Sequence, residues 1–220
     1  METSIYTNCP NCQAPIKSGM FGSTEIVEQV RTNFVNLFLE KSAEAYCSKC
    51  IPELWSQAAN RFRSQSSALQ VAYSELLPYV PVVTIQSPLD WKYKVIQMVT
   101  AQSVTGTGVL TEFASTFTDL LGMQSGRFNS KIKSGEDICR AQIKMQCIEV
   151  GGNAVIATDI DYAEVGGDKG MLMVCMSGTA VRLENPDVLG EGRLEKFREL
   201  SYTFNKIKDL SQYAELGSTY

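Results

Sequence analysis

Hydrophobic positions along the chain change their period near residue 90, which separates a helical first part from a strand-rich second part. Residues 1 to about 22 have little periodicity and are rich in Cys, Pro, Gly, Asn and Ser, a composition that predicts loops. Ile26, Val30, Phe34, Leu37 and Phe38 then recur at helical spacing through about Lys41, with Ser23 or Thr24 as cap and Glu25 and Glu28 near the positive end. A longer helix opens at Pro52-Glu53, where proline gives up only an N–H that the first turn cannot use, and runs to about Leu77. Its positions 55, 59, 62, 66, 69, 73 and 76 carry Trp, Ala, Phe, Ser, Leu, Tyr and Leu. That seam reads as the buried face of an amphipathic helix or as a short coiled coil, within one subunit or between subunits. Pro78, Pro81 and Pro88 then punctuate an extended linker.

From Trp91 to about Val104 the pattern is that of a strand, ended by Gly106 and Gly108. A mixed segment, Val109 to Gly122, precedes a helix that starts near Arg127 or at Ser134 and stops at Gly151-Gly152. Strands are expected over 153–165 and 171–183, with Gly166 to Gly170 as the hairpin turn, and a charged helix over 193–210 ahead of a frayed tail. Both faces of the last strand are apolar: Met171, Met173, Cys175, Thr179 and Val181 on one, Leu172, Val174, Met176 and Ala180 on the other. The first strand repeats this, with Trp91, Tyr93, Val95 and Val99 against Ile96 and Met98. One helix covers only one face of a three-stranded sheet, so the other face must meet residues 1–77 or further subunits. The expected organisation is a module over 1–80, a linker over 81–90, a second domain over 91–184 and a helical tail over 185–220.

Composition narrows the chemistry. With 20 Lys+Arg against 24 Asp+Glu, the net charge of −4 offers no footprint for nucleic acid or an anionic membrane surface. Histidine is absent, which excludes Ser-His-Asp and Cys-His catalysis and every His-ligated metal. Neither a basic segment followed by an apolar run nor a stretch of ~18 apolar residues is present, so a cytoplasmic protein with reduced thiols is expected. Gly106-Thr107-Gly108 and Gly166-Gly167 lack the extensions of a phosphate-binding loop and read as turns.

Cysteine spacing carries the strongest local signal. Cys9-Pro-Asn-Cys12 and Cys47-Ser-Lys-Cys50 are paired CxxC units, and two such turns can aim four thiolates at one Zn²⁺. A four-thiolate site leaves no open coordination position, so its role is structural, holding together a subdomain too small for a core of its own. Cys139 and Cys147, on one helix face with Ile143, and Cys175, in an apolar strand, read as small buried hydrophobes, with soft-metal ligation between helix and sheet as the alternative. Asp159 and Asp161 alternate on one strand face, opposite Tyr162 and Glu164, and are candidates for binding a cation or ligand.

The stretches GGNAVIATDIDYAEVG and GMLMVCMSGTAVRL, with VTGTGVL and LLGMQSGRFN upstream, resemble the YbjQ-like family, whose label is heavy-metal-binding domain. The likeness covers about residues 91–183. It implies an α+β fold: a dodecin-like β-α-β-β subunit that closes into a homopentameric ring. The family supplies no ligand set that maps onto these positions, and the cysteine module, ribbon-like or treble-clef-like, lies outside its pattern. The reading is a non-enzymatic homo-oligomer with a structural zinc held by Cys9, Cys12, Cys47 and Cys50, and an N-terminal module for docking a protein partner. Two other readings are a ring whose interior stores a small molecule or a soft metal, the metal held by Cys139, Cys147 or Cys175, and an enzyme using Cys, Asp/Glu or Tyr at subunit boundaries.

Overall fold

Alternating apolar residues in three segments pair into one antiparallel sheet, and the apolar stripe of a single helix closes one of its faces. These elements come from a computed structural model, which describes residues 6–17, 23–105, 128–165 and 171–218. The expected strand end at Gly106 and Gly108, the 109–122 segment and the Gly166–Gly170 turn lie outside the described residues. The elements are α1 (Gln29–Leu39), α2 (Ile51–Leu76), β1 (Tyr93–Thr105), α3 (Phe128–Glu149), β2 (Ala154–Val165), β3 (Met171–Leu183), α4 (Arg193–Ser211) and α5 (Ala214–Ser218). Two compact units result, one of Met1–Leu69 with Ile207–Tyr220 and one of Gln70–Lys206. No helix among the described residues is long and apolar enough to cross a membrane.

In the larger unit the sheet order is β1-β3-β2. Cys139, Ile143 and Cys147, spaced by four along α3, pack on Val99, Ala101, Val155, Val174, Met176 and Ala180. Behind the sheet, Ala154, Ile156, Val181 and Leu183 meet Val83, Trp91, Tyr93 and Leu189, which covers one end of the second face. The proline-punctuated segment lies along the β2 edge: the Val155 N–H donates to the Pro81 carbonyl (2.9 Å), and the Thr158 N–H to that of Val83 (3.0 Å). Among the described residues nothing further covers this face, which is open there, and Val95 and Met98 are 65% and 70% exposed.

A bulge decides which β2 side chains reach that open face. Ile156 lies opposite Thr179 and Asp159 opposite Ser177, so Ala157 and Thr158 together take the place of one residue. Ala157 adopts φ 51°, a left-handed conformation uncommon for a residue with a Cβ. Because side chains alternate with period two, the extra residue turns Asp159 and Asp161 outward and directs Ile160 toward the core. It also puts Tyr162 on the α3 side, where its hydroxyl donates to Glu136 Oε1 at 2.6 Å. Gly178 faces the bulge, and a Cβ there would lie 2.6 Å from Val155 Cγ1.

Several expectations change. α1 begins at Gln29 with Glu28 at the cap and no side-chain cap bond, because Thr24 is paired with Lys17 in a short bridge. Its buried face is Thr32, Phe34, Val35 and Phe38, whereas Val30 and Leu37 are exposed. A second bulge, between Val95 and Gln97, reverses the alternation in β1: Met98 joins Val95 on the open face, and Val99 lies on the helix face. The α2 seam is buried within the chain at both ends: Trp55, Ala59 and Phe62 in one unit, Tyr73 and Leu76 in the other. The third helix takes its continuous form, and the expected frayed tail contains α5.

Ala157→Gly relieves the left-handed strain and is expected to stabilise the fold by about 1 kcal/mol. Gly178→Ala drives a methyl into Val155 and is expected to cost about 1–3 kcal/mol. Chemical denaturation of the full chain checks both signs.

Candidate metal centre

Two tight turns bring the N-terminal cysteines together. In the first, the Cys9 N–H donates to the Ala14 carbonyl (2.8 Å) and the Gln13 N–H to that of Cys9 (2.9 Å), while Asn8 and Pro15 form a bridge. Gln13 has φ 60°, which closes this turn. In the second, the N–H groups of Cys50 and Ile51 both donate to the Cys47 carbonyl (3.1 and 3.0 Å), so the turn runs directly into α2. Antiparallel pairing of residues 25–27 with 46–48 anchors it, through Val27 N–H to the Tyr46 carbonyl and Ser48 N–H to that of Glu25.

The four sulfurs lie within 4.8 Å of one another. Cys12 and Cys47 are 3.6 Å apart, and Cys9–Cys50 and Cys47–Cys50 are each 3.8 Å apart. A tetrahedron with metal–sulfur bonds of about 2.3 Å has edges of about 3.8 Å, so the spacing suits Zn²⁺ or an ion of similar size. Cys9 and Cys47 are buried, Cys50 is half-buried and Cys12 is exposed. Burial works against the Cys9 thiolate, yet backbone N–H groups of Cys12 and Asn11 and the neighbouring thiols lower its pKa to about 7. Cys50 goes the other way, pushed up to about 12 chiefly by burial.

Behind the cysteines, the apolar stripes expected on α1 and α2 meet in an aromatic core. The Phe34 ring lies 4.7 Å from Phe38 and 4.8 Å from Trp55, Phe62 meets Phe38 edge-on at 5.3 Å, and Tyr213 joins from the C-terminal segment. Tyr46, next to Cys47, is fully buried, and its hydroxyl donates to Asn36 Oδ1 (2.7 Å), whose amide holds the Ala43 carbonyl. The subdomain therefore has its own core, contrary to the expectation that metal alone holds it together. Tyr46 could have been flagged by its place beside a CxxC pair, but Tyr213 comes from a distant part of the chain.

The other candidate residues stay apart from this site. Asp159 and Asp161 are exposed on the open sheet face, where Asp161 pairs across the strands with Cys175. Among the described residues, only the four N-terminal cysteines form a cluster close enough to share an ion. Cys139 and Cys147 donate to the carbonyls of Val174 (3.4 Å) and Ala154 (3.2 Å), and burial pushes them to about 11 and about 12. They are core thiols.

Comparison with known proteins places the larger unit. The profile of the YbjQ family, described as "Putative heavy-metal-binding", matches residues 80–184. A UPF0145 protein of Actinobacillus pleuropneumoniae serotype 5b (strain L20) is 36% identical over 84 residues, 38% of this chain and 79% of that protein. The chain belongs to this UPF0145, YbjQ-like family. A second UPF0145 protein, from serotype 3 (strain JL03), is 34% identical over the same shares. A crystal structure of a DUF74-family protein of unknown function from Pediococcus pentosaceus ATCC 25745 aligns with 47% of this chain and 96% of its own, at 14% identity and a TM-score of 0.31. The matched family span begins after Cys50, so the cysteine cluster is an addition to the family domain.

Chelation of the metal-loaded chain is expected to expose the amides of residues 6–17 to hydrogen exchange while α1 and α2 keep their protection, because the aromatic core persists. Metal uptake must displace thiol protons. The number released should fall by about one as pH rises through a midpoint near 7, where Cys9 is already ionised. Calorimetric titration in buffers of different ionisation enthalpy reads that count.

Proposed function

We propose that this protein is a non-enzymatic, metal-binding scaffold: a homo-oligomer, pentameric by its family likeness, in which each chain carries one structural Zn²⁺ on Cys9, Cys12, Cys47 and Cys50. The observation that carries this reading is the convergence of four sulfurs within 4.8 Å of one another, three of the pairs at 3.6–3.8 Å, with two of the four cysteines buried. An all-thiolate set saturates a tetrahedral ion and leaves no position for a substrate, which favours a structural role. Assembly is supported by the open sheet face, where Val95, Met98 and Val104 are 65%, 70% and 47% exposed. Identical copies would cover that surface and supply the second wall that its composition calls for. The exposed Val30 and Leu37 on α1 offer a protein partner an apolar contact next to the metal module. The acidic balance disfavours nucleic acid and anionic membranes as partners.

A second reading, storage of a soft metal or small molecule within the ring, is favoured by the β2 bulge, which turns Asp159 and Asp161 onto the same open face as Cys175. Native mass spectrometry with elemental analysis separates the two. The scaffold predicts five chains and one zinc per chain, lost in Cys9→Ser with Cys47→Ser and kept in Asp159→Asn with Asp161→Asn. Storage predicts additional ligand that disappears in the double Asn variant. A monomer free of metal is incompatible with either.

A further inference from the structure

Three of the four cysteines are withdrawn from solvent to some degree, and Cys12 is not. It sits at the tip of the first turn, between the exposed Asn11 and Gln13. Its sulfur is 3.6 Å from that of Cys47, closer than the 3.8 Å between Cys9 and Cys50, although the two residues are 35 apart in sequence and belong to different turns. A solute reaching the centre therefore meets Cys12 first, and the Cys47 thiol, on the opposite turn, lies within reach to resolve the product. Cys9 is fully buried and shielded from the same approach.

We propose, on the basis of the metal-centre reading above, that Cys12 and Cys47 form a peroxide-sensitive pair whose oxidation to a disulfide expels the metal while keeping the two turns tied. The oxidant class is a hydroperoxide. The Cys12 thiolate attacks one peroxide oxygen and the O–O bond breaks, giving Cys12 sulfenic acid and releasing hydroxide. The Cys47 thiolate then attacks the Cys12 sulfur, the S–O bond breaks, and a second hydroxide leaves. Two electrons have passed from the sulfurs to the peroxide, and both hydroxides take up protons to become water. With two of its four ligands consumed, the dication is released. Cys9 and Cys50 remain as thiols 3.8 Å apart. The disulfide takes over the link between the turns that the metal made, so oxidation differs from chelation in leaving residues 6–17 attached to the aromatic core.

The test uses the full chain loaded with Zn²⁺ and treated with excess hydrogen peroxide. A chromogenic chelator follows released metal, and peptide mapping by mass spectrometry locates disulfides. The expected result is complete loss of the bound zinc with a Cys12–Cys47 disulfide, reversal by dithiothreitol and re-addition of zinc, and the same course in Cys175→Ser, which removes the half-buried thiol of the sheet. Hydrogen exchange over residues 6–17 should rise less after peroxide than after chelation. Retention of zinc with unmodified Cys12 overturns the proposal, as does a disulfide confined to one turn, Cys9–Cys12 or Cys47–Cys50. A chain that takes up no zinc at all defeats the metal-centre reading and this proposal with it.

Discussion

Four sulfurs gathered within 4.8 Å cannot all carry charge unless a cation stands among them. Two thiolates at 3.8 Å repel by about 4 kcal/mol at an effective dielectric constant near 20, and a tetrahedral set contains several such pairs. The fold answers this in part before any ion arrives. Backbone N–H groups of Asn11 and Cys12 favour the Cys9 thiolate, whereas burial keeps Cys50 protonated. A divalent soft or borderline ion bound there would supply the missing charge and replace the thiol protons. The geometry of the N-terminal turns follows from that constraint: each CxxC closes on its own backbone hydrogen bonds and presents its sulfurs toward the other.

The aromatic cluster of Phe34, Phe38, Trp55 and Phe62 limits what a bound metal would have to contribute. A small module without a core depends on its ion for folding, but here α1 and α2 pack on each other through aromatic rings that need no ion. Tyr46 joins the two systems, with Cys47 following it directly and Asn36 holding its hydroxyl. A bound ion would act chiefly on the first turn, which among the described residues is tied by the short bridges Asn8–Pro15 and Lys17–Thr24.

In the larger unit the governing constraint is side-chain parity. Each strand offers two faces, and α3 can close only one of them. Bulges in β1 and β2 decide which residues fall on which face, and the one at Ala157–Thr158 keeps two carboxylates out of the core while letting Ile160 in. The strained φ at Ala157 and the buried, unpartnered Thr158 hydroxyl are the local cost of that arrangement. What remains is a sheet face with apolar residues at its margin and Asp159, Asp161 and Cys175 among its polar ones.

Local rules determined much of this chain from its residues alone. Paired CxxC turns, proline at the second position of α2, period-two strands and the Gly151-Gly152 stop are short-range features, and helix and strand limits read from them fall within a few residues of the observed ones. The family motifs, being contiguous, were legible in the same way. Tertiary structure alone decided the rest, because it depends on residues distant in sequence. It packed Tyr213 against Phe34 and Phe38, laid Pro81–Ile85 along β2, and shortened α1 when Thr24 paired with Lys17. It also inserted bulges that no alternation pattern announces, since a single extra residue reverses every face beyond it and only the partner strand reveals where that residue lies.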